Sequence, residues 1–188
     1  EILTCDWSSD VCSSDLRGFG VTCPLVIVGR GVDTNKFSPQ HRSQTLRQQW
    51  GADTDTRVML YVGRLSPEKE VDVLIKSFHA LQEQQGENVK FVIVGEGPDR
   101  VRLGKLTSSK DVIFTGSLSG QALSEAYASA DVFTFASQAD TFGNVVLEAI
   151  ASGLPVVAYD YVCAHQYVKQ EVTGWLSPLG HTSDLIQS

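Results

Sequence analysis

From Val58 onward, short apolar runs alternate with segments whose apolar residues recur at helical spacing, and that alternation leaves few folds open. VMLYVG (58–63), KFVIVG (90–95), VIFTG (112–116), DVFTFA (131–136) and LPVVAY (154–159) each have the length and near-continuous apolar character of a parallel strand buried on both faces. Between the first two, Val71, Leu74, Ile75, Phe78 and Leu81 fall on one helical face. Further helices are expected from about Asp99, over Gln121 to Ser129, over Gly143 to Ser152, and more weakly near His165 to Gln170. Five βα units in succession predict an α/β fold, a Rossmann-like parallel sheet with helices on both faces and right-handed crossovers. At 188 residues the chain has room for one such domain, or one and a piece of another.

Upstream, PLVIV (24–28) reads as one more strand. A turn-rich stretch around Gly31, Asp33, Ser38 and Pro39 then leads to a polar helix containing Leu46 and Trp50. Residues 17–57 are expected to be the end of a preceding domain and its connector, and 58–188 the Rossmann-like domain. The first sixteen residues, EILTCDWSSDVCSSDL, fit neither period and have no basic leader. Asp6 to Leu16 resembles the translation of a common sequencing-adapter primer, so 1–16 are set aside from the fold as an artefact. Without Glu1, Asp6, Asp10 and Asp15, 18 acids face 15 bases, and the charge is −3 rather than −7. Two cysteines remain, Cys23 and Cys163, in no CxxC or metal-ligand spacing, which points to a reducing compartment. A pI near 5.0 without a Lys/Arg cluster argues against nucleic acid as a partner. No apolar run approaches the roughly 20 residues of a membrane span.

In open parallel sheets ligands bind beyond the carboxyl ends of the strands, so the loops after each strand carry the functional signal. GRLSPEKE puts Gly63, Arg64 and Lys69 after the first strand, and two cations there suit a diphosphate or are solvated surface charges. Gly95-Glu96-Gly97-Pro98-Asp99 follows the second strand but has Arg100 where a dinucleotide fingerprint needs its third glycine, which removes the main support for a dehydrogenase. Its glycines permit either a simple turn or the close approach of a ligand. After the fourth strand, SQADTFGNVVLEAIASGLPVV has Phe142, Gly143 and Asn144 opening a helix, whose free amides and dipole form an anion site. Asp140 and Glu148 lie just before and two turns into that helix. Both face a cleft and accept hydrogen bonds from hydroxyls, or one favours the helix dipole and the other is a surface acid.

Two patterns fail on inspection. Asp53-Thr54-Asp55 has the form of a metal-binding D-x-D but sits in a polar, turn-rich stretch, and Gly116-Ser117-Leu118-Ser119-Gly120 has Leu where a nucleophile elbow needs Ser. The four histidines share no ligand spacing; His165 alone stands near a strand end.

Taken together, GRGVDTNKFSP, LYVGRLSPEKEVDVLI, VIVGEGPD, VIFTG and DTFGNVVLEAIASGLPVVA resemble the donor-binding domain of retaining GT-B glycosyltransferases, family 4, in order from about Arg30 to Leu176. The resemblance implies that Arg64 and Lys69 hold the donor diphosphate and offset charge on the leaving group, with Asp140 as the third catalytic position. It implies that Phe142, Gly143, Asn144 and Val145 offer amides to the sugar and phosphate. Glu148 would take the ribose hydroxyls as the second acid of an E-x7-E motif, and Gly116 to Leu118 would meet the base. Three departures stand out: Asp140 for the commoner Glu, Glu70 for a frequent Gly, and Tyr161-Val162-Cys163-Ala164-His165 where relatives carry a Gly-rich turn.

The expected activity is hexosyl transfer from a nucleotide-diphospho sugar with retention, without an obligatory metal or other cofactor. The acceptor, a lipid-linked group or a glycan, is outside the sequence's reach. The expected location is the cytoplasm or the cytoplasmic face of a membrane. A sugar-nucleotide epimerase on the same architecture and a non-catalytic nucleotide-sugar-binding domain are the alternatives. An acceptor domain is expected upstream and a bracing helix downstream, so the chain alone is expected to bind donor and turn over little.

Overall fold

The computed structural model of the chain describes residues 31–85, 88–138 and 143–181, with Gly18 and Gly20 as isolated positions. Residues 1–16, the PLVIV stretch, Asp140 and Phe142 lie outside the described residues. The chain divides into two compact units, Glu1–Gly31 and Val32–Ser188, and the second carries the sheet.

That unit runs α1 (Gln44–Gln49), β1 (Arg57–Val62), α2 (Val71–Gln85), β2 (Val89–Val94), α3 (Arg100–Leu106), β3 (Val112–Gly116) and α4 (Gly120–Ser129). It continues through β4 (Val132–Phe135), α5 (Asn144–Ala151), β5 (Val156–Tyr159), α6 (Val162–Tyr167) and β6 (Gly174–Ser177). The six strands form one sheet in the order β3-β2-β1-β4-β5-β6, and every neighbouring pair is parallel. Val58 to Val62 are all buried. Since successive strand residues point to opposite faces, that unbroken burial means both faces of β1 are covered, which is why its sequence is continuous rather than alternating.

On α2, Val71, Leu74, Ile75 and Phe78 are buried, as the helical spacing predicts, and removing each from water contributes about 1.5–3 kcal/mol. Phe78 lies against Phe91 of β2, with ring centroids 5.8 Å apart. Tyr61, Tyr127, Tyr159 and Phe133 are fully buried. No helix among the described residues is long and apolar enough to cross a membrane.

Three details depart from the sequence expectation. The polar helix ends at Gln49, and Trp50 is its C-cap with its side chain in the core. Helix α6 begins at Val162, earlier than the spacing suggested. Strand β6, Gly-Trp-Leu-Ser, is a sixth strand that the sequence did not announce. Only Trp175 and Leu176 within it are large and apolar, so it offers no run to detect. Its glycine is required by crowding, because a Cβ on Gly174 would lie 2.0 Å from the Val156 carbonyl oxygen.

Residues 32–57 are latched to the β1–β4 junction. The buried Arg47 guanidinium donates to the Ser129, Asp53 and Thr56 carbonyls and to Asp131 Oδ2 at 2.7–3.0 Å. Arg42 takes the other Asp131 oxygen at 2.9 Å, and the Val58 amide donates to Oδ2 at 2.8 Å. Burial alone would raise the Asp131 pKa, but these donors hold it below its ordinary value of 3.8. Phe37 completes the latch with an edge-on contact to Tyr127, centroids 5.6 Å apart.

Candidate functional site

The strand order reverses between β1 and β4, since the chain steps outward through β2 and β3 and then returns to build β4, β5 and β6. At such a switch point the loops leaving the two central strands diverge and open a crevice at their carboxyl ends. The loops there are the Gly63–Glu70 segment after β1 and the segment entered at Ser137 after β4.

The first loop is fixed by backbone. The Gly63 amide donates to the Val94 carbonyl and the Leu65 amide to the Glu96 carbonyl, both at 3.0 Å, and Leu65 in turn accepts from the Asp99 amide. This brings the loops after β1 and β2 so close that a Cβ on Gly95 would lie 1.9 Å from the Gly63 oxygen, and one on Gly97 2.1 Å from the Leu65 oxygen. The two glycines of the GEGPD turn therefore make room for the neighbouring loop of the same chain. Gly63 is constrained too: the buried Tyr61 hydroxyl donates to the Arg64 carbonyl at 3.0 Å and would sit 2.7 Å from a Cβ on Gly63.

On this base the cations are presented. Arg64 is exposed, and Lys69 ends a one-turn 3₁₀ helix (Pro67–Lys69), half-buried with Nζ 5.8 Å from the Phe135 ring centroid. Between them Glu68 accepts from Ser66 Oγ at 2.6 Å. That hydrogen bond foremost, with the charges of Arg64 and Lys69 also contributing, lowers the Glu68 pKa. The next residue, Glu70, has φ 48° and ψ 38°, a left-handed conformation that costs a side-chain-bearing residue roughly 1–2 kcal/mol. A glycine here would adopt it freely. Instead of facing the cations as a loose charge, the Glu70 carboxylate accepts from Gln138 Nε2 at 2.7 Å and from the Tyr159 hydroxyl at 3.2 Å. Burial, then the Glu70 charge, pushes the Tyr159 phenol up to about 12.

Across the crevice, Gly143 is buried with φ 57° and ψ 30° and forms the N-cap of α5, a conformation that by itself explains a glycine. Its carbonyl accepts from the Val146 amide at 2.8 Å. Gly143 has no side chain of its own with which to cap this helix start. Asn144 is exposed and Val145 half-buried against the core. Glu148 is half-buried, and burial raises its pKa despite the opposing pull of Tyr127 and Lys36. The Tyr127 hydroxyl is buried with no close hydrogen-bond partner among the described residues, yet it is near enough to Glu148 for the carboxylate to push its pKa up, after burial itself. Asp140 and Phe142 are the two expected site residues that lie outside the described residues.

Gly116 ends β3 with φ 76°, its carbonyl accepting from the Gly95 amide at 2.9 Å, and Leu118 packs half-buried beside it. Both stand at the edge of the sheet, two strands from the switch point. His165 contacts Asp160, just beyond β5, at 2.6 Å and is exposed. Asp53 of the D-x-D pattern accepts through one oxygen from Thr56 Oγ1 and from the Thr56 and Asp55 amides, closing a turn. No cluster of three His, Cys, Asp or Glu side chains suited to a metal occurs among the described residues.

The sequence reading missed Gln138, Tyr159, Lys36 and Tyr127. Gln138 and Tyr159 stand at strand ends, where the general rule directs attention, but neither type announces a ligand. Lys36 and Tyr127 reach Glu148 only through tertiary packing.

Comparison with known proteins agrees with this geometry. The fold is that of one half of a GT-B glycosyltransferase: Anabaena HepE in complex with UDP and glucose superposes with a TM-score of 0.78 at 25% identity, over 99% of this chain and 51% of that one. WaaG, a glycosyltransferase of lipopolysaccharide biosynthesis, superposes with a TM-score of 0.77 at 25% identity, over 96% and 51%. Residues 42–187 match the family of glycosyl transferases group 1, and the chain belongs to that family. A GDP-mannose-dependent alpha-mannosyltransferase of Mycobacterium tuberculosis is 42% identical over 80% of this chain and 38% of its own length. A sulfoquinovosyl transferase of Arabidopsis thaliana is 39% identical over 77% and 28%. The chain thus spans well under half the length of these two relatives.

Proposed function

We propose that this chain is the donor-binding half of a retaining family 4 glycosyltransferase. In the complete enzyme it would deliver a hexosyl group from a nucleotide-diphospho sugar to an acceptor with the anomeric configuration kept. The observation that carries the reading is the pairing, across one switch point, of a two-cation loop on a backbone-locked base with a glycine-opened helix start. Each bank attracts anions by a different means, the first by charge and the second by the amides and dipole of a helix end.

In this reading Arg64 and Lys69 take the diphosphate and stabilise the departing nucleotide. The amides of Gly143, Asn144 and Val145 meet sugar and phosphate oxygens. Glu148, whose partial burial strengthens the hydrogen bonds it accepts when ionised, holds the ribose hydroxyls. Asp140 and Phe142 complete the sugar pocket, and Gly116 and Leu118 border the base. Gly63 keeps the loop in place. The acceptor site belongs to the rest of the enzyme, working in the cytoplasm or against its membrane face, so the 188-residue chain binds donor and transfers little.

Relatives named for GDP-mannose and a neighbour holding UDP and glucose make GDP-mannose and UDP-glucose the probes. Calorimetric titration should show one of them binding, and Lys69→Ala and Glu148→Ala should each weaken it about tenfold. Binding that survives both substitutions unchanged would sink the assignment. In the complete enzyme, the anomeric configuration of the product by NMR tests retention, and an altered nucleotide sugar without transfer would instead identify an epimerase.

A further inference from the structure

We propose that Glu70 is a positioning residue for the donor site, its carboxylate bracing the cationic loop against the ends of β4 and β5. The proposal rests on the donor-site reading and adds to it the device that sets the width of the crevice.

A side chain is kept at a position whose φ of 48° favours glycine, and retained backbone strain calls for a compensating contact. That contact spans the switch point. One carboxylate oxygen holds Gln138, three residues past β4, and the other holds Tyr159, the last residue of β5. Tyr159 is 1% exposed, so its hydroxyl is a fixed anchor. A second tie, from the Gln138 amide to the Glu68 carbonyl at 3.4 Å, runs parallel to the first. Lys69, whose ammonium the donor reading places on the diphosphate, is the immediate neighbour of the brace. Its position relative to α5 across the crevice therefore depends on whether Glu70 holds.

An acid beside an anion-binding loop would also repel the ligand, and the two effects have opposite signs. If Glu70 acted by charge alone, both Glu70→Gly and Glu70→Gln would tighten nucleotide binding. If it is a brace, Glu70→Gly relieves strain and loosens the crevice together, whereas Glu70→Gln preserves one acceptor and the side-chain reach.

The test uses the full chain, with UDP and GDP as probes in calorimetry, thermal melting in parallel, and hydrogen exchange over residues 64–70. Glu70→Gly should melt at or above the wild-type temperature yet bind about fivefold more weakly, a divergence that a purely structural role would not produce. Glu70→Gln should recover most of the affinity. The double variant Gln138→Ala/Tyr159→Phe, which leaves residue 70 untouched, should bind as weakly as Glu70→Gly and exchange faster over residues 64–70. Affinity in Glu70→Gly equal to or tighter than wild type, or a double variant indistinguishable from wild type, overturns the brace while the donor site stands. A wild-type chain that binds neither nucleotide overturns the donor reading and the positioning role with it.

Discussion

The two banks of the crevice are built by different physics. The β1–β2 bank is backbone on backbone: amides of Gly63, Leu65 and Asp99 bond across adjacent loops, and Gly95 and Gly97 leave no room for a side chain between them. Beyond the ladder that pairs β1 with β4, the loop after β1 is tied to the ends of β4 and β5 chiefly by side chains, Glu70 to Gln138 and Tyr159, beside one longer backbone bond from the Gln138 amide to the Glu68 carbonyl. Backbone contacts at hard-sphere distance have one arrangement; side-chain contacts can lengthen, titrate or rotate. The β1–β2 base is therefore the fixed bank, and any adjustment falls to the contacts made by side chains.

Three changes would break or sharpen that contrast. The largest effect belongs to the fixed bank. Gly97→Ala places a methyl against the Leu65 carbonyl and should cost about 3 kcal/mol or more, read from urea denaturation; a loss below about 1 kcal/mol would mean the two loops can separate. Next, Asp131→Asn strips the carboxylate shared by Arg42 and Arg47 and should cost about 2 kcal/mol near neutrality. Because the Asp131 pKa is lowered in the fold, its contribution is complete above 3.8 and is lost as pH falls through the folded value. The variant and the wild type should accordingly converge in acid, and urea midpoints measured from about pH 6 down to about pH 2 check this. The smallest effect concerns Glu148. Its pKa is raised above 4.5, so hydrogen bonds accepted by its ionised form weaken as pH falls towards that raised value. Donor affinity should fall as pH is lowered from neutrality towards that raised value, and Glu148→Gln should bind more weakly but without that pH dependence.

The sheet was legible where burial on both faces forces unbroken apolar runs, as in Val58 to Val62 and Phe91 to Val94, and where Val71 to Leu81 mark one face of a helix. It was not legible at β6, a four-residue strand whose Gly174 is there for clearance and whose Ser177 is buried without being apolar. Of the candidate site, the sequence proposed Arg64, Lys69, Gly143 and Glu148 from their places after strands. What it did not reveal was the setting of Glu70, because spacing along the chain does not show that Gln138 and Tyr159 lie within reach. The GEGPD glycines stayed ambiguous for the same reason, since only the folded register shows which backbone they face.

The Arg47 latch has a practical consequence for recombining this unit with other domains. Arg47 is enclosed by carbonyls from Ser129, Asp53 and Thr56 and by Asp131, so a fusion joint placed at the first strand would discard the guanidinium together with Asp53 and Thr56 and leave the Ser129 carbonyl and the Asp131 carboxylate behind. A graft cut ahead of Val32 carries the latch, Phe37 and Trp50 along with the sheet, and hands the new host a module whose own underside is already closed.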